Sequence, residues 1–368
     1  MTSFFISANS LSELCQDEMT KSGKEQSDWF LILTKQRQLF VDSELIDSLT
    51  QTDPLFIFSE SYGVRLEKSA VDFNKAIVDS PDIVLDYPQC IFLLDVSQHD
   101  ADILQSRFGV LCHSTADWAE CPLSATDCSF ELIDGQLEHS WTELFEGNKA
   151  CPSNSLIIID RFLFSYDGNN RLGVKDSLRN IKQILKGVLP NTLDCDYHVL
   201  ILFNKETSND RDFVLDECYD ELVNYVDNEL DLSYTVQFEF FTVAADDPRY
   251  SDTHNRQIIS NYFIASALYN IRAFDAKGRA TCTQNINVKY LYSKGLHDRS
   301  DSPVKMINRL VESIYQMREG GNNIVKLKLS GHKEYLYYSD DGFQTLDNMF
   351  NRIVINSNNK PSANILHT

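Results

Sequence analysis

Three residues near the middle of the second half of the chain, His254, Arg256 and Asn261, carry side chains that together can handle a phosphate group. A neutral imidazole can attack phosphorus and form a covalent phosphohistidine. A guanidinium is a permanent cation that holds two phosphate oxygens at once. The stretch 253–260 is short, β-branched and apolar, which predicts a strand, and residues two apart on a strand share a face. His254 and Arg256 are therefore expected to point in the same direction.

The spacing His-x-Arg-x-x-x-x-Asn resembles the His-x-Lys-x-x-x-x-Asp motif of the phospholipase D superfamily, with both partners of the histidine altered. The resemblance implies a nucleophile at His254, a phosphate-binding cation at Arg256 and a third site residue at Asn261. The family completes such a site with a second motif, from the same chain or from a symmetric dimer. Arginine fixes a phosphate differently from lysine, and an amide cannot relay a proton as a carboxylate can. Asn261 has the opposite strand parity to His254, so the three residues converge only if the chain bends.

The elements around this motif alternate between strands and helices. Continuous apolar runs predict strands buried on both faces, and apolar residues every three or four positions predict helices. In chain order these are a strand at 156–160, a helix at 174–189, a strand at 198–203, a helix at 213–228 and a strand at 235–243. Beyond the motif, the sequence predicts a strand at 284–292 and a late hairpin at 324–338. This order predicts a mixed or parallel sheet with helices on its faces and resembles a single phospholipase D-like domain.

The chain has 368 residues, enough for two domains. We predict a small N-terminal α/β domain over residues 1–147, a phospholipase D-like α/β domain over 148–355 and a flexible, Asn- and Ser-rich tail over 356–368. Within the first domain, apolar runs and helix signals predict strands at 29–34, 37–42 and 90–95 and a helix at 100–108. The predicted fold class is therefore α/β, with a mixed sheet flanked by helices in the second domain.

Carboxylates at two strand ends give a rival site. Asp95 and Asp160 each follow an apolar strand, where they could bind Mg²⁺ for phosphodiester cleavage. An aspartate in that place is more commonly a turn or helix-cap residue. A second reading of His254 and Arg256 is also purely structural, as buried side chains paired with backbone carbonyls or acids.

Two further groups of residues predict no site. The grouping Cys112, His113, Cys121 and Cys128 matches no zinc spacing. A second His-x-Arg, formed by His297 and Arg299, lies in a turn-rich stretch that predicts a loop. The favoured site therefore predicts no metal and no cofactor, and only the rival site at Asp95 and Asp160 would take Mg²⁺.

The charge of the chain bears on its partners. With 33 basic and 54 acidic residues, the formal charge is −21, which repels phosphate backbones unless a local basic groove opposes it. This acidity either maintains solubility or forms a face that docks onto a basic protein, such as one that binds nucleic acid.

No apolar run reaches the roughly 18 residues of a membrane span, and the start lacks the features of a signal peptide. The nine cysteines show no paired spacing. We therefore expect a cytoplasmic protein without disulfides.

Two functions follow from these patterns. The first is an accessory or adaptor protein whose degenerate phospholipase D-like domain binds a phosphate group while an acidic face docks on a protein partner. A composition rich in Asn, Asp, Ile, Ser and Tyr suits a bacterial accessory or defence-associated protein. The alternative is a metal-independent phosphodiesterase or nuclease that uses His254 as nucleophile and is completed by a second chain in a homodimer.

Overall fold

In a computed structural model, the described residues form two large β-sheets with helices packed against them and a separate two-stranded sheet, which confirms the predicted α/β fold class. The structure describes residues 3–21, 25–87, 90–116, 128–136, 140–146, 151–164, 172–204, 212–243, 256–290, 326–328 and 335–337. The helices are α1 (Ala8–Glu18), α2 (Asp28–Leu33), α3 (Pro54–Tyr62), α4 (Phe73–Asp79), α5 (Gln98–Phe108), α6 (Trp141–Glu146), α7 (Leu172–Val188) and α8 (Asp212–Glu229). Short 3-10 helices span Glu44–Ser48 and Pro81–Asp86.

The first sheet is parallel and has five strands. These are β1 (Ser3–Ile6), β2 (Gln38–Val41), β3 (Arg65–Lys68), β4 (Cys90–Leu94) and β5 (Cys112–Ser114). Their order across the sheet is β3-β2-β1-β4-β5. Alternate residues of β1 and β4 enter different cores, because successive side chains of a strand point to opposite faces. Phe5 and Phe92 pack with Phe73 of α4 on one face, whereas Phe4 joins the larger core on the other.

The second sheet is mixed and has seven strands. These are β6 (Cys128–Leu132), β7 (Ser155–Ile159), β8 (Tyr197–Asn204), β9 (Val236–Val243), β10 (Arg256–Ser260), β11 (Phe263–Ala267) and β12 (Gln284–Tyr290). Their order is β6-β12-β11-β10-β7-β8-β9, in which β7, β8 and β9 are parallel and the other neighbours are antiparallel. The strands and helices predicted between 156 and 243 are confirmed. The late hairpin is also confirmed, as β13 (Lys326–Lys328) paired with β14 (Tyr335–Tyr337).

Helix α7 covers one face of this second sheet. Its apolar positions Leu178, Ile181 and Leu185 recur at helical spacing and are buried in the same core as Leu156 and Ile158 of β7. That core continues without a break to the residues of β1 and α1 in the first sheet. The two sheets therefore share one hydrophobic core.

The turn between β10 and β11 joins the second sheet to the first. The buried Tyr262 hydroxyl donates to the carbonyl oxygen of Cys90 and accepts from the N–H of Leu111, both at 2.8 Å. Strand β6 precedes residue 147 in the chain yet pairs with β12. Sheet membership therefore changes between Ser114 and Cys128, and the division into domains at residue 147 stays a prediction.

The predicted strand at 29–34 is wrong, because these residues belong to the helix α2. Ser27 caps this helix by accepting from the N–H of Phe30 at 3.3 Å, and the helix buries Trp29, Phe30 and Leu33. A short apolar run does not distinguish a strand from a buried helix, so here the cap and the surrounding core decide.

Some predictions lie outside the described residues. These concern His254, Cys121, His297, Arg299 and the tail 356–368. The eight cysteines that the structure describes form no disulfide. Within the same described ranges, no helix combines the length and apolar character needed to cross a membrane.

Candidate phosphate-binding site

The start of β10 lies at the carboxyl edge of the parallel strands of the second sheet. Gln257 is opposite Ile159, the last residue of β7, so Arg256 comes level with Asp160. Because β10 runs antiparallel to β7, the beginning of one strand meets the end of the other. His254 precedes Arg256 by two residues and is not among the described residues. The structure thus brings Asp160 to the strand that carries the motif.

Asp160 is a buried carboxylate that ties two loops together. It is 1% exposed, and its two oxygens accept from the backbone N–H groups of Phe162 and Ile271, each at 2.9 Å. Phe162 follows β7, and Ile271 follows β11. Burial raises the pKa of Asp160 above its usual value, and the two N–H groups and the charges of Arg256 and Arg272 act against that rise.

Arg256 and Arg272 act on this carboxylate through their charges, and Arg161 follows it directly in the chain. The guanidinium groups of Arg161 and Arg256 lie 5.5 Å and 5.8 Å from the centre of the Phe162 ring. The charge of Arg272 acts on Asp160 from the loop after β11. Guanidinium groups bind phosphate oxygens through paired N–H donors and also stack on aromatic rings. This edge therefore has the donors needed to bind a phosphate group.

Asn261, the third residue of the motif, lies at the other end of β10. Five strand steps separate it from Arg256, a distance of roughly 16 Å at the usual rise per residue. Its side chain is fully buried, and its Oδ1 accepts from the N–H groups of Asn154 and Ser155 at 3.1 Å and 3.2 Å. Its Nδ2 donates to Asn154 Oδ1 at 2.9 Å. The structure does not bring Asn261 to Arg256, and the hydrogen bonds give it a part in holding the turn.

Asp95 lies in the first sheet, apart from Asp160. It follows β4 and accepts hydrogen bonds from Ser10, from Thr115 at 2.6 Å and from Asn74 at 3.5 Å. Partial burial would raise its pKa, but the hydroxyl donors lower it below the usual value. In the part of the chain that the structure describes, no three His, Cys, Asp or Glu side chains are grouped to hold a metal ion.

The residues of the cysteine and histidine grouping are distributed over different elements. Cys112 is buried in the core of the first sheet with Phe92 and Phe108. The ring of His113 packs against Trp29, with centroids 4.9 Å apart. Cys128 belongs to the second sheet.

Arg161, Phe162 and Arg272 were not among the residues predicted for this site. The first two follow a predicted buried strand, and ligands of open α/β sheets bind outside the carboxyl ends of such strands, so their position was a usable signal. Arg272 had no such signal, because only the hairpin of β10 and β11 returns the chain to this edge.

No protein-family model matches this chain, and no curated protein matches it either. Among solved structures, it is similar to the crystal structure of phosphatidylserine synthase from Haemophilus influenzae Rd KW20, with 13% sequence identity and a TM-score of 0.25. The match covers 62% of this chain and 45% of that one, so the chain spans less than half the length of that protein. A TM-score of this size assigns neither a fold family nor a function.

We expect Asp160→Asn to destabilise the protein by roughly 1–3 kcal/mol, the cost of one buried group left unpaired. An amide has a single acceptor oxygen, so either Phe162 or Ile271 would face an NH₂ group with its own N–H. Because the folded-state pKa of Asp160 is raised, the wild type loses stability relative to the variant as the pH rises from the usual value of 3.8 through the raised value. The destabilisation should therefore shrink with rising pH.

Urea unfolding of the wild type and of Asp160→Asn, at several pH values from about 3.8 upward, measures this difference in stability. Asp134→Asn is a matched control, since Asp134 is exposed. Equal stability of the Asp160 variant and the wild type at every pH would show that the carboxylate does not hold the two loops.

Proposed function

We propose that the protein is an accessory protein that binds a phosphate-bearing ligand at the carboxyl edge of its second sheet, with a degenerate phospholipase D-like site. The observation that carries this proposal is that Arg256 and Arg272 act on the buried carboxylate of Asp160, while Arg161 and Arg256 both lie over the Phe162 ring. Three arginines lie at this end of the sheet in a chain with a formal charge of −21. Clustered guanidinium groups attract an anion even in a chain of net negative charge.

The role of Asn261 supports binding without hydrolysis. The motif of the superfamily has an acid at this position, whereas here an amide makes three hydrogen bonds to Asn154 and Ser155. These hydrogen bonds hold the Asn261 side chain in the turn, at the end of β10 away from Arg256. A phosphohistidine mechanism needs an acid or base near the histidine, and an amide does not supply one.

The adaptor part of the proposal rests on the acidic surface. Helix α8 exposes a series of acidic side chains on the outside of the second sheet: Glu217, Asp220, Glu221, Asp227 and Glu229. Of these, Glu221 forms an ion pair with Lys182 at 3.0 Å. A basic protein partner would complement such a face and associate faster at low salt.

Arg256→Gln is expected to weaken the binding of inorganic phosphate about 10- to 100-fold, because a charge-assisted hydrogen bond contributes about 1.5–3 kcal/mol. Arg256→Lys should give an intermediate loss, since it keeps the charge but not the paired donors. Isothermal titration calorimetry measures both.

Arg65→Gln is the matched control for this experiment. It removes the same charge from an exposed side chain in the first sheet, paired with Glu67, and should leave phosphate binding unchanged. Equal losses in the Arg65 and Arg256 variants would contradict a local site. Hydrolysis of a simple phosphodiester in the presence of chelator, abolished by His254→Ala, would instead establish the phosphodiesterase alternative.

A further inference from the structure

The two loops beside Arg256, at the carboxyl ends of the parallel strands of the second sheet, expose large apolar side chains to solvent. Phe162 is 37% exposed, Leu268 58% and Tyr269 55%. Among the described residues, these are three of the eight large hydrophobic side chains that are exposed. They follow β7 and β11, the two strands that flank β10, so they lie at the same end of the second sheet as the three arginines.

Buried polar side chains hold the backbone of the Tyr269 loop in place. The amide of Gln284, itself buried, accepts from the N–H groups of Tyr269 and Asn270 at 3.0 Å and 3.4 Å and donates to the carbonyl oxygen of Asn270 at 3.2 Å. Asp160 accepts from Ile271 in the same loop and from Phe162 in the other. The aromatic side chains are therefore presented on fixed backbone, which lowers the entropy lost when a ligand contacts them.

The combination of cationic and aromatic groups at this end of the sheet restricts the chemical class of ligand that would fit. A bare phosphate uses the guanidinium groups only and leaves the exposed Tyr269 ring without a role. Phe162 already lies within 6 Å of two guanidinium groups, which shows that flat cationic groups are accommodated at its ring. Single-stranded nucleic acid offers both a phosphate for arginine and a flat base for an aromatic ring.

We infer that this edge binds single-stranded nucleic acid, with the phosphate held by Arg256 and its neighbouring arginines and a base stacked on Phe162 or Tyr269. This inference rests on the proposed function, because it requires the same phosphate site. A duplex is disfavoured, since its bases are already stacked and its dense phosphate charge meets a strongly acidic chain. An anionic membrane is the competing partner for a surface of arginines and exposed apolar groups, and its binding is one outcome of the test.

The test compares two short single strands of equal length, oligothymidylate and the same sugar-phosphate backbone without bases, by fluorescence anisotropy with the full-length protein. We expect oligothymidylate to bind about tenfold more tightly, because one stacked base contributes enough for that factor. The double variant Phe162→Leu with Tyr269→Leu should reduce this ratio to about one. The double variant Phe162→Tyr with Tyr269→Phe keeps both aromatic faces and should preserve it.

The outcomes separate this inference from the proposed function. Equal binding of both strands that is weakened by Arg256→Gln would overturn base stacking and leave the phosphate site intact. Absence of binding to either strand and to inorganic phosphate would overturn both. Binding to vesicles of phosphatidylcholine with phosphatidylserine, but to neither strand, would assign the edge to a membrane surface instead. Thermal unfolding of each variant verifies that loss of binding is not loss of the fold.

Discussion

Gly109→Ala should destabilise the protein by more than about 3 kcal/mol, because it combines backbone strain with a steric clash. Gly109 ends α5 with φ of 62°, a conformation that costs a residue with a Cβ roughly 1–2 kcal/mol. A Cβ there would also overlap the carbonyl oxygen of Ser153 and come within 3.0 Å of the Asn154 nitrogen. Backbone on both sides leaves no flexible side chain to move away.

Gly63→Ala separates the two causes. Gly63 ends α3 with φ of 66°, and a Cβ there would meet nothing within 4 Å. This variant should therefore lose only the backbone part, roughly 1–2 kcal/mol. Chemical denaturation of both variants gives the comparison. Similar losses for the two glycines would mean that the close approach between α5 and the start of β7 relaxes at little cost.

Asn261→Asp should destabilise the protein by roughly 2–4 kcal/mol and should not create phosphodiesterase activity. The new carboxylate would replace the Nδ2 donor and face Asn154 Oδ1, now 2.9 Å from the amide nitrogen, with an acceptor. Asn154 has little freedom to turn over, because its Nδ2 donates to the carbonyl oxygen of Phe108 and its Oδ1 accepts from Ser155. The variant restores the acid of the motif at a place roughly 16 Å from Arg256.

The pH dependence identifies the cause of this loss. A buried carboxylate has a raised pKa in the folded state, so its stability cost is absent below the unfolded value of about 3.9 and grows as the pH rises above it. Unfolding curves at several pH values should therefore converge with those of the wild type in acid. Asn191→Asp, at an exposed position, is the control and should show no such dependence. A pH-independent loss would point to misfolding of the turn rather than to the buried charge.

The residues at the candidate site show which features could be predicted from the sequence and which could not. Arg256 was predicted from its chemistry and from a strand that the structure confirms as β10. Asp160 was considered as a metal ligand, and its place after a buried strand was correct, but its carboxylate holds two backbone N–H groups. The hydrogen-bond partner Ile271 lies 111 residues away in the chain, a separation that no local pattern bridges.

Asn261 and α2 show where local patterns mislead. The spacing of the motif groups Asn261 with His254 and Arg256, although β10 pairs with β7 as far as Ser260 and so places Asn261 at the opposite end of the strand. For α2, the run Trp29–Leu33 is apolar enough for either a strand or a helix. A helix forms here because a serine caps its start and because the core accommodates its buried side chains.

By itself, the sequence determined the α/β class and most strands and helices of the second sheet, and it predicted a phosphate-binding cation at Arg256. These depend on hydrophobic periodicity and on residue chemistry, which are local properties. Only the tertiary structure decided that Arg161, Phe162 and Arg272 join Arg256 and that Asn261 belongs to the joint between the sheets. Strand order and register bring such residues together, and they follow from the packing of the whole core rather than from any short stretch of chain.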